Sequence, residues 1–242
     1  MSTYAIGDIH GHLDLLHHVH DLIAIDMASH GQGTIVHVGD LVDRGPASAD
    51  VVDYLRAGIL RGEDWVVLKG NHDRMFTLFL QDARAQDEGL NPKYTWLHPK
   101  LGGSTTLASY GVADAADRPV DDVHTEALAA VPPSHRNFLI SRPTWFQTAD
   151  AIFVHAGIRP GVPMTAQTET DLVWIRTGFL DFEDPHPALV VHGHTAIDRP
   201  RHYGNRLNID SSAAYGGPLS AVVLDRGQAF VLTRKGRLPL AP

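Results

Sequence analysis

The chain has 242 residues, 43% of them hydrophobic, with 20 Lys and Arg against 28 Asp and Glu, a formal net charge of −8. This size can bury one large core, so one domain over residues 1–242 is expected. The acidic balance argues against a nucleic-acid partner, the absence of cysteine excludes disulfides and thiolate metal sites, and no apolar run nears the roughly 18 residues of a membrane span. No basic-then-apolar leader is apparent either, so a cytoplasmic location without a membrane partner is the expectation.

Thr3–Ile6 reads as a strand, and His12–Ser29 as a helix with Leu16, Val19, Ile23 and Met27 at helical spacing. The histidines of that helix (His17, His18, His20 and His30) read as surface or packing residues. Thr34–Val38 is a second strand. Ser48 is placed as the N-cap of a helix through Val51, Val52 and Leu55 that stops near Gly58. Trp65–Leu68 is a third strand, followed by a helix after His72. This β-α-β-α-β-α order is that of a parallel sheet covered by helices. From about Gln86 to Arg118 the period is lost, which predicts a loop-rich insertion with a short helix or two near the site opening. A helix starts at Pro132-Pro133-Ser134. The second half turns β-rich, at Ala151–Val154, Leu189–Val191, Ala221–Leu224 and Ala229–Leu232, the last two forming a hairpin around Asp225-Arg226-Gly227. The expected fold is α/β, with two packed mixed sheets flanked by helices.

Short motifs close these strands: Gly7-Asp8-Ile9-His10-Gly11, then Gly39-Asp40-Leu41-Val42-Asp43-Arg44-Gly45, then Gly70-Asn71-His72-Asp73. Two histidines follow later strands, in Val154-His155-Ala156-Gly157 and Gly193-His194-Thr195. Alternation along a strand puts Asp8 and His10 on one side, within reach of one cation. Asp40 ends the neighbouring strand about 4.8 Å away and is placed to bridge two cations. Asn71 offers an amide oxygen, and His72 is a ligand or a proton donor beside one. Lone histidines after strands are usually packed core, but two of them, each next to Gly or Ala-Gly, raise the odds of ligation. One metal then takes Asp8, His10 and Asp40, and the other Asp40, Asn71, His155 and His194. Oxygen and nitrogen ligands without thiolate suit Mn, Fe, Zn or Ni rather than Ca or Mg alone. Arg44 alone reads as a surface ion pair; beside two metals its planar fork suits phosphate oxygens better.

The first three motifs and their spacing resemble the signature of metal-dependent phosphoesterases of the calcineurin and phage lambda phosphatase type. The likeness runs from Tyr4 to about Leu224. Leu172-Val173-Trp174-Ile175-Arg176, the run from Gly102-Gly103 to Ser109-Tyr110-Gly111, and Asn208-Ile209-Asp210 to Gly216-Gly217 resemble segments of the small bacterial serine/threonine protein phosphatases. That resemblance implies two divalent metals, Mn²⁺ serving in vitro, and a metal-bridging water or hydroxide as nucleophile without a phosphoenzyme. It implies that His72 is the general acid or leaving-group contact, oriented by Asp43, and that Arg44 and Arg176 hold the phosphoryl oxygens with Asn71 and His72 beside them. His192, outside the ligand position, is expected either to be structural or to support the ligands from behind. Asp73, where eukaryotic relatives carry Glu, Ala196 for Pro, and Ser211-Ser212 for Thr-Gly depart from the pattern. The expected activity is hydrolysis of phosphoserine or phosphothreonine on a protein or peptide. The alternative is a symmetrical bis(nucleosyl)-tetraphosphate hydrolase; against it stand Asp43 and the lack of an obvious basic or aromatic cluster for adenine.

Overall fold

A computed structural model describes residues 2–242. The elements run β1 (Ser2–Ile6), α1 (Leu13–His30), β2 (Gly33–His37), α2 (Ser48–Leu60), β3 (Trp65–Val67), α3 (Asn71–Gln81), α4 (Gly103–Ser109), α5 (Val120–Ala130), α6 (Pro133–Ile140), β4 (Trp145–Gln147), β5 (Ala151–Val154), α7 (Glu169–Trp174), β6 (Leu189–His192), β7 (Arg201–His202), β8 (Arg206–Asn208), β9 (Ala221–Asp225), β10 (Gln228–Thr233) and β11 (Gly236–Pro239). They build two mixed sheets. The first has the order β11-β10-β9-β1-β2-β3 and the second β4-β5-β6-β8-β7. β1, β2 and β3 are mutually parallel, as are β5, β6 and β8.

The layer order follows from strand alternation. Tyr4 and Ile6 point into a core shared with Leu16, Val19 and Ile23 of α1 and Val51, Val52 and Leu55 of α2. Ala5, between them, points the other way, against a cluster holding Val36, Phe153, Val191, Leu207 and Val222 from both sheets. On the second sheet Phe153 joins that inter-sheet core, while Ile152 and Val154 face outward onto Leu172 of α7 and Phe179. Each central strand is thus covered on both faces, which is why it reads as a continuous apolar run.

Some local expectations need correction. Ser48 is not the cap of α2: it lies inside the helix, Ala47 holds the cap position, and no side chain caps it. The Ser48 hydroxyl instead accepts from the Asp43 backbone N–H at 3.2 Å. Met27 packs partly buried against the core, as its spacing suggests, but the buried residue of that turn of α1 is Asp26. Asp26 accepts from Tyr4 at 2.8 Å and from Arg237 at 2.7 Å, so a charge is buried with its partners. The helix at residues 120–130 and the short strands β4, β7, β8 and β11 lie where the sequence carries no clear period. The segment 86–118 contains α4 and otherwise turns and loops. No helix among the described residues is long and apolar enough to cross a membrane.

Candidate metal centre

Asp8 and His10 follow β1, Asp40, Asp43 and Arg44 follow β2, Asn71 and His72 open α3 just after β3, His155 follows β5, and His194 follows β6. All of these are C-terminal ends of parallel strands, where loops from neighbouring strands converge. The loops interlock through their backbones. Ile9 and His10 N–H donate to the Asp40 carbonyl at 3.0 and 2.8 Å, and Gly45 N–H donates to the His10 carbonyl at 3.0 Å. Asp8 Oδ2 accepts the His194 N–H at 2.9 Å and so ties the two sheets together. A methyl at Gly193 would collide with Asp8 Oδ1, and one at Gly70 with Asp40 Oδ1. His10, Asp40, Asp43, Arg44 and His194 all have positive φ, between 45° and 74°. That region is costly for side-chain-bearing residues, and such strain persists where the surroundings over-determine it, most often at functional sites.

Hydrogen-bond bookkeeping points to cations. His155 Nδ1 lies 3.0 Å from the Val38 carbonyl and must donate to it. Burial, opposed mainly by the Asp40 charge, holds the imidazole down at about 4, so it is neutral at pH 7. Its Nε2 therefore presents a lone pair, yet it faces Asn71 Oδ1 at 2.9 Å and Asp40 Oδ1 at 3.4 Å. His194 Nδ1 meets the same Asn71 oxygen at 2.9 Å, and His194 Nε2 is buried without a partner. Several acceptor atoms thus crowd one point with few protons among them. A divalent cation satisfies such a set. His10 is fixed in the same way through Nδ1, which donates to the Val42 carbonyl at 2.9 Å, and its Nε2 faces Asp40 Oδ2 at 3.3 Å while taking an N–H from Arg44 at 2.7 Å.

Two compact ligand groups result, His10–Asp40–His72 and Asp40–His155–His194, all buried and sharing Asp40. Asp8 lies outside the first group, where His72 stands in its place. Asp8 still lines the cavity, with Oδ1 buried and unpartnered. Burial and the nearby Asp210 and Asp40 carboxylates push the Asp8 carboxyl well above its ordinary range. Added positive charge relieves that repulsion, so the donors present fit two divalent ions.

Around the expected Asp43–His72 pair stand residues that sequence reasoning missed, Trp96 and Thr106. Asp43 is fully buried, and its Oδ2 accepts from His72 Nδ1 at 2.6 Å and from the Trp96 indole at 2.8 Å. Thr106 donates to Asp43 Oδ1 at 2.6 Å. Trp96 and Thr106 lie in the aperiodic 86–118 segment and carry no motif. Asp73 accepts from Leu41 N–H at 2.9 Å and Gly70 N–H at 2.8 Å, bracing the second and third motifs together. An acid three residues after a helix-opening glycine was a legible signal for that role. Asp210, buried and lining the cavity, accepts from Ser212 N–H at 3.0 Å. His192 is structural, as expected: its Nδ1 meets the Gly193 carbonyl at 3.0 Å and its ring packs edge-on against Phe179.

The cavity, about 350 Å³, is lined on one side by Asp8, His10, Asp40, Asn71, His72 and His194. Arg44 enters with its guanidinium 2.7 Å from His10 Nε2 and 2.9 Å from His72 Nε2, under the Tyr215 ring. Arg176 reaches in to donate to the His194 carbonyl at 3.3 Å. Tyr94, Trp174 and Tyr215 line the same cavity. Nothing in the sequence signals this grouping, because Tyr94, Trp174 at the end of α7 and Tyr215 are far apart along the chain and share a cavity only in the fold.

Two mixed sheets sharing a core, with acid–imidazole groups at their strand ends, are the arrangement of a metal-dependent phosphoesterase. The chain belongs to the calcineurin-like phosphoesterase family, which residues 1–207 match. It is 27% identical to the asymmetrical bis(5'-nucleosyl)-tetraphosphatase PrpE of Anoxybacillus flavithermus, over 90% of this chain and 88% of that protein. It is 47% identical to the symmetrical bis(5'-nucleosyl)-tetraphosphatase of Yersinia pestis, over only 30% of this chain and 23% of the other. A crystal structure described as a candidate diadenosine tetraphosphatase superposes with a TM-score of 0.65 at 21% identity, covering 99% of this chain and 94% of that one. A cold-active protein tyrosine phosphatase gives 0.62 at 19%, over 99% of this chain and 80% of the other. At such identities the structural likeness establishes the fold alone.

Proposed function

We propose that the protein hydrolyses bis(5'-nucleosyl) tetraphosphates, cutting one phosphoanhydride bond. The observation that carries this is the aromatic side of the cavity. Tyr94, Trp174 and Tyr215 stand beside the acid–imidazole cluster, and Tyr215 is 68% exposed. An exposed ring that the core does not need, next to a phosphate site, suits a stacked base. The relatives matched over nine-tenths of the chain carry the asymmetrical name, so attack next to a nucleoside, giving a mononucleotide and a nucleoside triphosphate, is the form proposed. This reverses the order of the two readings drawn from the sequence, and it also replaces the symmetrical cut.

Asp8, His10 and Asp40 would hold one divalent ion, and Asp40, Asn71, His155 and His194 the other. With both bound, the site gains Lewis acidity and a water nucleophile of lowered pKa. The remaining work belongs to the chain. Arg44 and Arg176 grip nonbridging phosphate oxygens with planar forks. Asp43 accepts a hydrogen bond from His72 Nδ1–H and so stabilises the imidazolium form, whose Nε2–H would be the proton given to the leaving oxygen once Arg44, 2.9 Å from Nε2, has turned to phosphate. The phosphoserine or phosphothreonine reading stands second, supported by that buried Asp43–His72 pair, which suits protonation of an alkoxide leaving group.

Product analysis tests the proposal. Diadenosine tetraphosphate and a phosphoserine peptide are turned over under the same Mn²⁺. The expected outcome is at least tenfold higher kcat/KM for the dinucleotide, with AMP and ATP as products. Two ADP would restore the symmetrical cut, and faster peptide turnover would restore the phosphoprotein reading.

A further inference from the structure

Asp87 does not line the cavity, yet it is only 3% exposed and fully engaged. Its carboxylate accepts from Arg74 Nε at 2.7 Å and Nη2 at 2.6 Å, from the Trp174 indole N–H at 2.9 Å, and from Gly89 N–H at 2.9 Å. Burying a carboxylate is tolerable only with such donors, and the Arg74 fork is the strong form. Three elements meet at this one group. Arg74 belongs to the first turn of α3, three residues after Asn71. Gly89 belongs to the loop that brings Leu90, Asn91 and Tyr94 to the cavity. Trp174 ends α7, two residues before Arg176.

The indole is held from several directions. Its N–H is fixed by Asp87, a methyl at Gly89 would strike its ring atoms, and its ring meets His194 edge-on at 5.7 Å. Arg74 also donates to Thr170 at 3.0 Å on the same helix, α7. A stacking surface gains most when its ring is already in place before the base arrives. Nothing in phosphoryl transfer calls for a carboxylate at Asp87, while fixing a wall does.

We propose that Asp87 is a positioning residue that holds Trp174 and the 87–94 loop as a wall for a planar nucleobase beside the phosphate site. The inference rests on the nucleotide reading for its ligand class. It is tested by inhibition, which is separable from substrate choice. Adenosine diphosphate and ribose 5-diphosphate, alike in charge but differing in the base, are compared as inhibitors of p-nitrophenyl phosphate hydrolysis by the Mn²⁺-loaded enzyme.

Stacking on one aromatic face is worth about tenfold or more, so the native protein is expected to prefer adenosine diphosphate by about that factor. Asp87→Asn keeps the side-chain size but removes the charge, and is expected to bring the ratio to within about twofold of one. Trp174→Phe keeps a ring but removes the N–H that Asp87 holds, so it reads the same clasp if Asp87→Asn lacks a cooperative melt. It is expected to lose at least half of the preference on a logarithmic scale. A ratio near one in the native protein overturns the wall. A full ratio retained in the folded variants overturns the role of Asp87. A native ratio of tenfold together with faster phosphopeptide than dinucleotide turnover supports the wall and overturns only the substrate reading.

Discussion

His72 Nδ1 and Asp43 Oδ2 lie 2.6 Å apart, with Asp43 fully buried and His72 nearly so. A carboxylate in that position accepts the Nδ1 proton and leaves Nε2 as the nitrogen directed into the cavity. Asp43 cannot turn away, because Trp96 and Thr106 hold its two oxygens. If Nε2 serves the leaving group, His72→Asn lowers kcat by ~10²–10⁴ for an alkyl phosphate. The loss is smaller for p-nitrophenyl phosphate, whose leaving group needs little protonation. Metal content measured alongside stays at the native level. Equal losses on both substrates would remove the acid role, and a lost metal equivalent would make His72 the ligand that its place beside His10 and Asp40 allows.

Asp40 is shared by both ligand groups. A bridging carboxylate offsets repulsion between cations held ~3.5–4 Å apart. Asp40→Asn is therefore expected to lose both metal equivalents and at least about a hundredfold in kcat. His155→Asn touches one group and should lose about one equivalent. Elemental analysis of the desalted proteins checks this. An Asp40→Asn protein retaining two equivalents would show that the bridge lies elsewhere.

Much of this centre could be read from the chain because its ligands sit on consecutive strand–loop junctions. Asp8 with His10, Asp40, and Asn71 with His72 each follow an apolar run and a glycine, so periodicity located them. His194 was legible for the same reason, and His155 by the apolar strand before it and Ala156-Gly157 after it. Trp96, Thr106 and Asp87 were not. They act through side-chain hydrogen bonds to groups far away in sequence, and a lone Trp, Thr or Asp in an aperiodic stretch carries no local signal. The aromatic side of the cavity was hidden likewise, since Tyr94, Trp174 and Tyr215 are far apart in sequence. Among the elements, the strands covered on both faces were clear, whereas β7 and β8 have too few residues for alternation to register.

Gly193 tests the tightness of the centre. Its missing side chain leaves room for Asp8 Oδ1, and its neighbour His194 donates its N–H to Asp8 Oδ2 at 2.9 Å. Gly193→Ala must displace either that carboxylate or the loop carrying His194. The expected outcome is at least tenfold weaker metal binding, with Tm lowered by several degrees for ~1–3 kcal/mol of overpacking strain. Titration of the metal-stripped protein, followed by thermal melting, measures both. Native affinity in this variant would mean that the contact between Asp8 and the His194 loop does not shape the site.

A last prediction concerns stability away from the site. Asp26 joins α1 to the terminal strand β11 through Arg237 at 2.7 Å and to β1 through Tyr4 at 2.8 Å. Burial raises the Asp26 carboxyl, but the Arg237 and Tyr4 hydrogen bonds and the Arg237 charge outweigh it and leave it below its ordinary value. The sign follows. Well above the unfolded value of about 3.9, Asp26 is ionised in both states and its bonds contribute fully. As pH falls through that value the unfolded chain takes up the proton first, and the contribution fades until the folded carboxyl is protonated as well. Arg237→Met removes the charged partner and keeps much of the apolar stem, so it is expected to cost ~2 kcal/mol near pH 7. The gap between native and variant should narrow steadily below about pH 4. Urea melts of metal-stripped protein across this range measure it, and a gap independent of pH would show that Arg237 acts by packing alone.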